Sequence, residues 1–230
     1  PIARLFINKL KRWDFQAAQR PDTLIAISQH VKKELEAKYR RFAEAVVYPP
    51  VDIRGLKIAD PPASNEPYFL IVSRLIPYKR IDIAIRACER IGANLKIIGI
   101  GRDYRRLKRL AAGHTEFLGA VSDRVRNQYL VGARAFLMPQ LEDFGIAAVE
   151  AQVCGTPLIA YAAGGALEIV KDGVTGVFFK EQTPDSLADA VRKFEKMSFD
   201  RPAISRLAQR FSKDRFKQQF IDIVTAASYT

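Results

Sequence analysis

The sequence predicts an α/β fold built on a doubly wound, largely parallel sheet. Three observations carry that expectation. Short apolar runs alternate with longer amphipathic segments along the chain. Most of the short runs are uniformly apolar rather than alternating, as strands are when helices cover both faces of a sheet. The longer segments show the 3.6-residue spacing of helices packed on such a sheet.

Strands are expected at residues 23–27, 46–48, 68–72, 95–98, 116–118, 135–138, 158–160 and 176–179. A helix over about 80–91 places Ile81, Ala84, Ile85, Cys88 and Ile91 on one face, and one over about 184–196 does the same with Leu187, Ala190, Val191 and Phe194. A last helix starts at Ser212 as N-cap, with Phe211 and Phe216 at the two positions of a hydrophobic staple. Phe216, Phe220 and Val224 then form an apolar stripe. The proline-rich polar stretch 60–67 reads as a linker.

The chain has 230 residues, of which 48% are hydrophobic, enough for a sizeable core and against wholesale disorder. No apolar run approaches the ~18–20 residues of a membrane span, and no signal peptide is visible. The chain starts at proline, so a fragment or a processed product is expected. Its two cysteines, Cys88 and Cys154, belong to no CxxC or Cys/His cluster. They read as small buried apolar side chains in a reducing compartment, not as a zinc site or a disulfide framework. The net charge of +12 points to anionic partners: phosphates, a lipid surface or nucleic acid.

Ligands of open parallel sheets bind beyond the carboxyl ends of the strands, so the residues after each strand are the ones to inspect. After 68–72 come Ser73 and three cations, Arg74, Lys79 and Arg80, leading into a helix. Arg offers a planar fork for phosphate, Lys a point charge, and the helix N-terminus adds amides. After 95–98 come Gly99 and Gly101, which let a backbone approach a ligand closely. Leu118, beside Gly119, is placed to hold a flat base through main-chain contacts. After 135–138 come Glu142, Phe144 and Gly145, then a helix opening at Ile146 and carrying Glu150 in an apolar setting. A buried carboxylate needs a partner: two ribose hydroxyls, or an internal salt bridge or hydrogen bond. Over eight residues a continuous helix would rise ~12 Å, so Glu142 and Glu150 do not read as a glycosidase-type carboxylate pair. They read as contacts to different parts of one elongated ligand. Gly164 and Gly165, after 158–160, are a second place where a backbone can come close.

At these residues the sequence resembles the retaining glycosyltransferases of family 4, which have the GT-B fold of two Rossmann-like domains, and specifically their C-terminal half. The segments are SRLIPYKRID from Ser73, IIGIG from Ile97, EFLGAVSD from Glu116, PQLEDFGIAAVEAQVCGTPLIAYAAGG from Pro139 and EIVKDGVTGVFF from Glu168. Upstream, RPDTLIAISQHVKKELEAKY resembles the crossover between the two domains. The run Tyr48-Pro49-Pro50-Val51-Asp52 is most similar to mannosyltransferases of polysaccharide and O-antigen assembly.

The resemblance implies a division into 1–27, a remnant of the N-terminal acceptor domain, 28–210, the donor domain, and 211–230, a crossover helix. It implies that Arg74 and Lys79 neutralise the donor diphosphate. Glu142, with the amides of Phe144, Gly145 and Ile146, holds the sugar and distal phosphate, with Ser73 and Gly99 also at the donor. Glu150 binds the ribose, and Leu118 contacts the base. The implied partners are a GDP- or UDP-linked sugar, with GDP-mannose preferred, and a glycan or lipid-linked acceptor bound through the N-terminal domain. No cofactor or metal is expected, since the cations take that role. The implied setting is cytoplasmic, with peripheral contact to anionic membrane at its inner face. A transferase acting through the donor half alone is expected to be inactive.

Two rival readings remain. Arg102, Arg105, Arg106, Lys108 and Arg109 form a basic run that suits a solvated helix face, anionic lipid or nucleic acid. Nucleic acid is not expected, because no recognised motif or stacking platform accompanies the run. A nucleotide-sugar epimerase of the same architecture is the other rival, and the 142–150 segment speaks against it.

Overall fold

The computed structural model describes residues 2–56, 58 and 66–227. Its main body is a six-stranded, all-parallel sheet with helices on both faces. In chain order the sheet strands are β3 (Tyr68–Val72), β4 (Asn94–Ile98), β5 (Thr115–Gly119), β6 (Ala135–Met138), β7 (Leu158–Tyr161) and β8 (Gly176–Phe179). Two earlier strands, β1 (Ile25–Ala26) and β2 (Ala45–Val46), pair in parallel with each other in a separate sheet. Both are shorter than their apolar runs suggest, because their ladder holds only the pairs Ile25 with Ala45 and Ala26 with Val46.

The uniform apolarity of the strands has the expected cause. Alternate residues of one strand enter two different cores. Tyr68 and Leu70 of β3 pack on one side, with Phe136 and Met138 of β6. Phe69 and Ile71 pack on the other, with Ala135 and Leu137. The first core is completed by α5 (Asp123–Gly132), α6 (Ile146–Val153) and α9 (Arg201–Ala208), the second by α3 (Ile81–Ile91) and α8 (Pro184–Glu195). Both cysteines are free and buried, Cys154 in the first core and Cys88 in the second.

Local signals set the helix ends. Thr183 caps α8 by accepting from the Ser186 amide at 3.2 Å, with Pro184 in the first turn. Helix α3 stops at Gly92, which takes the left-handed conformation at φ 67°. Ser28 caps α2 (Gln29–Tyr39), and the Glu168 carboxylate completes that cap by accepting from the Gln29 and His30 amides at 2.9 and 3.1 Å. Ser212 accepts from Arg215 at the start of α10 (Lys213–Ala227), as its sequence suggests. Phe211 is buried against Tyr48 and Phe144, whereas Phe220, Ile221 and Val224 are exposed. Upstream, α1 (Ile2–Ala17) is held to α2 by a hydrogen bond from Tyr39 to Asp14 at 2.7 Å. Of the expected linker 60–67, only Glu66 and Pro67 lie within the described residues. Among the described residues no helix is long and apolar enough to cross a membrane.

The strand order β5-β4-β3-β6-β7-β8 positions the site. The chain moves outward from β3 to β5 on one side, then returns to the middle and moves outward from β6 to β8 on the other. The reversal lies between β3 and β6, the point where such sheets open a crevice at their carboxyl edge. These two strands pair only through Phe69 with Ala135 and Leu70 with Phe136. Beyond those pairs they diverge.

Candidate functional site

A cleft of about 310 Å³ occupies this reversal point. Val72 and Ser73 at the end of β3 form one wall, Met138 and Gln140 at the end of β6 the other, and Ile27 and Pro49 reach it from the small sheet. Of the residues singled out from sequence, Ser73, Arg74, Lys79, Glu142, Phe144, Gly145 and Ile146 line this one cleft. Gly99, Leu118 and Glu150 do not.

Arg74 stands in the turn after β3, exposed, and its guanidinium takes no carboxylate partner among the described residues. Lys79 ends a single 3₁₀ turn, Pro77–Lys79, that runs into α3. Its ammonium forms an ion pair with Oε1 of Glu142, and both side chains are largely buried. The Gln140 side-chain amide donates to the same oxygen at 2.9 Å. Oε1 of Glu142 is thus held from two sides while Oε2 remains available. Sequence reasoning missed Gln140. A neutral side chain two residues before a conspicuous glutamate gives little signal until the fold shows it buried.

Helix α6 begins at Gly145, whose φ of 116° suits glycine alone, and no side chain caps it. A Cβ at this glycine would lie 2.8 Å from Met138 Cε. The first turn therefore presents unpaired amides and the positive end of the helix dipole to the cleft, a ready anion site. The loop carrying Glu142 is held from behind by the second glycine pair. The Gly165 amide donates to the Glu142 carbonyl at 2.8 Å. A Cβ at Gly164 would meet that carbonyl oxygen at 2.4 Å, and one at Gly165 would meet the Phe144 backbone at 2.5 Å. Gly164 and Gly165 thus pack against the protein's own loop.

Gly99 has a similar place. At φ 137° its missing side chain faces the Ser73 carbonyl oxygen, which a Cβ would meet at 1.8 Å. It lets the turn after β4 close on the turn that carries Arg74. Leu118 sits at the end of β5, partly buried against the first core. Glu150 shares a face of α6 with Ile146 and Ala147, at i+4 and i+3 spacing, both of which line the cleft. Its carboxylate is largely buried and lies 3.4 Å from Arg126 Nη2 of α5. Burial pushes this carboxyl up, opposed by the Arg126 charge. The two glutamates therefore have separate basic partners, Lys79 and Arg126, and do not form a carboxylate pair.

A cavity of similar size, about 320 Å³, lies at the opposite edge, near Pro67, Asn94 and Arg134. Its cations are matched: Arg134 with Glu195 at 3.0 Å and Arg192 with Asp189 at 2.7 Å. It lacks the unpaired cation and open helix end of the cleft between β3 and β6.

The fold recurs in solved structures of other proteins. Sucrose-phosphate synthase from Thermosynechococcus elongatus superimposes with a TM-score of 0.85 at 20% identity, over 96% of this chain and 62% of its own. The Anabaena protein HepE, solved in complex with UDP and glucose, gives a TM-score of 0.81 at 23% identity, over 94% and 66%. In sequence, an uncharacterised glycosyltransferase of Methanocaldococcus jannaschii is 28% identical over 218 residues, 92% of this chain and 61% of that protein. The chain thus spans about three-fifths of this relative's length. Residues 56–215, most of the chain and all of the cleft except its contribution from the small sheet, match the family of glycosyl transferases group 1, and the chain belongs to that family.

Proposed function

We propose that these residues form the donor-binding portion of a retaining glycosyltransferase that binds a nucleoside diphosphate sugar in the cleft between β3 and β6. The observation that carries this reading is the convergence of three anion-binding features on one crevice: free Arg74, the Lys79–Glu142 pair and the uncapped start of α6. In this reading Arg74 and Lys79 take the diphosphate, and the charges on these residues stand in for a metal. Glu142 accepts from sugar hydroxyls through Oε2. Glu150, which accepts no hydrogen bond among the described residues, takes the ribose. Leu118 and its neighbours border the base. As the sugar leaves, negative charge grows on the diphosphate, and Arg74 and Lys79 stabilise it, which lowers the barrier.

The donor we propose is GDP-mannose, on the likeness of Tyr48-Pro49-Pro50-Val51-Asp52 to mannosyltransferases of polysaccharide assembly. A UDP-sugar is the second reading, favoured by the UDP-bound structural neighbour. Residues 28–210 form the donor domain, with 1–27 and 211–230 facing an acceptor domain that receives a glycan or lipid-linked acceptor. The proposed setting is the cytoplasmic side of an anionic membrane. Arg105, Lys108 and Arg109 support it, being exposed and forming no ion pair among the described residues.

A thermal-shift panel of GDP, UDP, ADP and their sugars on the 230-residue chain tests the reading. A ligand at one hundred times its Kd stabilises by about 2.7 kcal/mol, so one nucleotide class raises the melting temperature while the others do not. EDTA leaves that shift unchanged. Arg74→Ala weakens binding by about tenfold, the loss of roughly 1.5 kcal/mol from a charge-assisted hydrogen bond. No response to any nucleotide, or a full response by Arg74→Ala, would overturn it.

A further inference from the structure

Beyond the cleft, one cation has no role in the proposed function. Arg126 of α5 is largely buried, and it is not among the residues its sequence context singles out. Its Nη1 lies 3.2 Å from Asp123, its Nη2 lies 3.4 Å from Glu150, and it donates to Asn127 at 3.3 Å. Its Nε is buried without a hydrogen-bond partner among the described residues. A guanidinium removed from most of its water, with one buried donor unused, is costly unless its charge is needed. Glu150 is equally incomplete. It has a cation at hand but accepts no hydrogen bond among the described residues, although a buried carboxylate ordinarily takes several. Neither side chain is satisfied by the protein alone. Glu150 stands on the α6 face that carries Ile146 and Ala147 into the cleft. Arg126 stands one helical turn into α5, the helix that follows Leu118 and the end of β5.

We propose that Arg126 is a positioning residue for nucleotide recognition: it fixes the Glu150 carboxylate and keeps it charged, so that the carboxylate meets the ribose hydroxyls as a prepared acceptor. The inference rests on the reading of Glu150 as the ribose contact. The groups facing Glu150 are Arg126 and Asp123 of α5 and Cys154 at the C-cap of its own helix. Arg126 is the sole cation among these three groups. Without it, burial and Asp123 both act to protonate the carboxyl. A protonated carboxyl loses one acceptor position and the charge that strengthens the others.

The test is calorimetric binding of UDP, GDP and their 2′-deoxy forms to the 230-residue chain, from pH 6 to pH 9. Wild type, Arg126→Met, Arg126→Lys and Glu150→Gln are compared, each checked for a native circular dichroism spectrum and cooperative unfolding. Titration of the diphosphate is common to all four proteins and cancels in their ratios. Arg126→Met is expected to bind the ribonucleotide about tenfold more weakly at pH 6. Its affinity recovers toward wild type as pH rises, because the carboxyl left without its cation ionises only at higher pH. Arg126→Lys restores most of the binding at every pH. Glu150→Gln binds weakly at all pH values and no longer distinguishes ribose from 2′-deoxyribose. If Glu150→Gln weakens binding and Arg126→Met does not, or if the Arg126→Met loss is the same at every pH, the role of Arg126 is wrong while the ribose contact stands. If Glu150→Gln binds like wild type and keeps the preference for ribose, the ribose contact itself is wrong and the role of Arg126 falls with it.

Discussion

At the scale of single residues, Gly99 shows how an uncharged residue packed against the Ser73–Arg74 turn can govern the site. It sits at the end of β4, with a φ of 137° that other residues rarely adopt, and its α-carbon faces the Ser73 carbonyl at a distance that excludes a Cβ. Gly99→Ala must both strain the backbone and push the Ser73–Arg74 turn away from the sheet. The expected cost is about 3 kcal/mol, the upper part of the range for a strained non-glycine conformation, read as a lowered urea midpoint. Nucleotide affinity should fall with it, since Arg74 moves with the turn. Gly113→Ala is the control: its φ is 152°, but a Cβ there meets nothing within 4 Å. Only the backbone strain remains, about 1 kcal/mol, and nucleotide affinity should be unchanged. Equal losses in the two variants would show that the contact with Ser73 is unimportant.

At the scale of elements, the start of α6 sets stability against binding. An uncapped helix N-terminus leaves amides unsatisfied, which is tolerable in a site that receives an anion. Ile146 is 48% exposed and occupies the first position of that helix. Ile146→Asp places a carboxylate against the positive end of the dipole, worth roughly 0.3–1 kcal/mol to the helix. The same charge repels a diphosphate. The melting temperature without ligand should therefore stay level or rise, while nucleotide affinity falls, most steeply at low salt. A variant that loses both, or that keeps full affinity, would argue that the anion does not sit at this helix end. Much of the arrangement was readable in advance: an apolar strand followed by Arg and Lys, and another followed by a Glu and a helix, identify two strand ends that belong together. Their contact was not readable. Lys79 and Glu142 are 63 residues apart, and only the sheet order makes them neighbours. The partnership of Arg126 with Glu150 stayed hidden for the same reason, since it depends on α5 packing beside α6, whereas Gln140, two residues from Glu142, is a neutral side chain whose burial only the fold reveals.

At the scale of the whole molecule, the sheet joins two cores that share every central strand. Period-two apolarity cannot be seen in a strand buried on both sides, so the sequence showed that helices cover the sheet but not which residues belong to which core. It also did not show that the first two strands leave the sheet. The two cysteines report on the two cores separately, Cys154 in the first and Cys88 in the second. Burial pushes the Cys88 thiol up to about 12 and the Cys154 thiol up to about 11, so neither forms thiolate near neutral pH while folded. Reaction with a thiol reagent must therefore wait for opening. If the shared strands make the cores one cooperative unit, both cysteines become reactive in the same event. Pulse labelling across a urea gradient, with the modified peptides resolved by mass spectrometry, should then give coincident midpoints for Cys88 and Cys154, matching that from circular dichroism. Saturating nucleotide, on the proposal that it binds between β3 and β6, two of the strands that bridge both cores, should raise both midpoints together. A Cys154 midpoint clearly below that of Cys88 would instead mean that the side carrying α5, α6 and α9 opens alone. The nucleotide would then protect Cys154 and leave Cys88 unchanged.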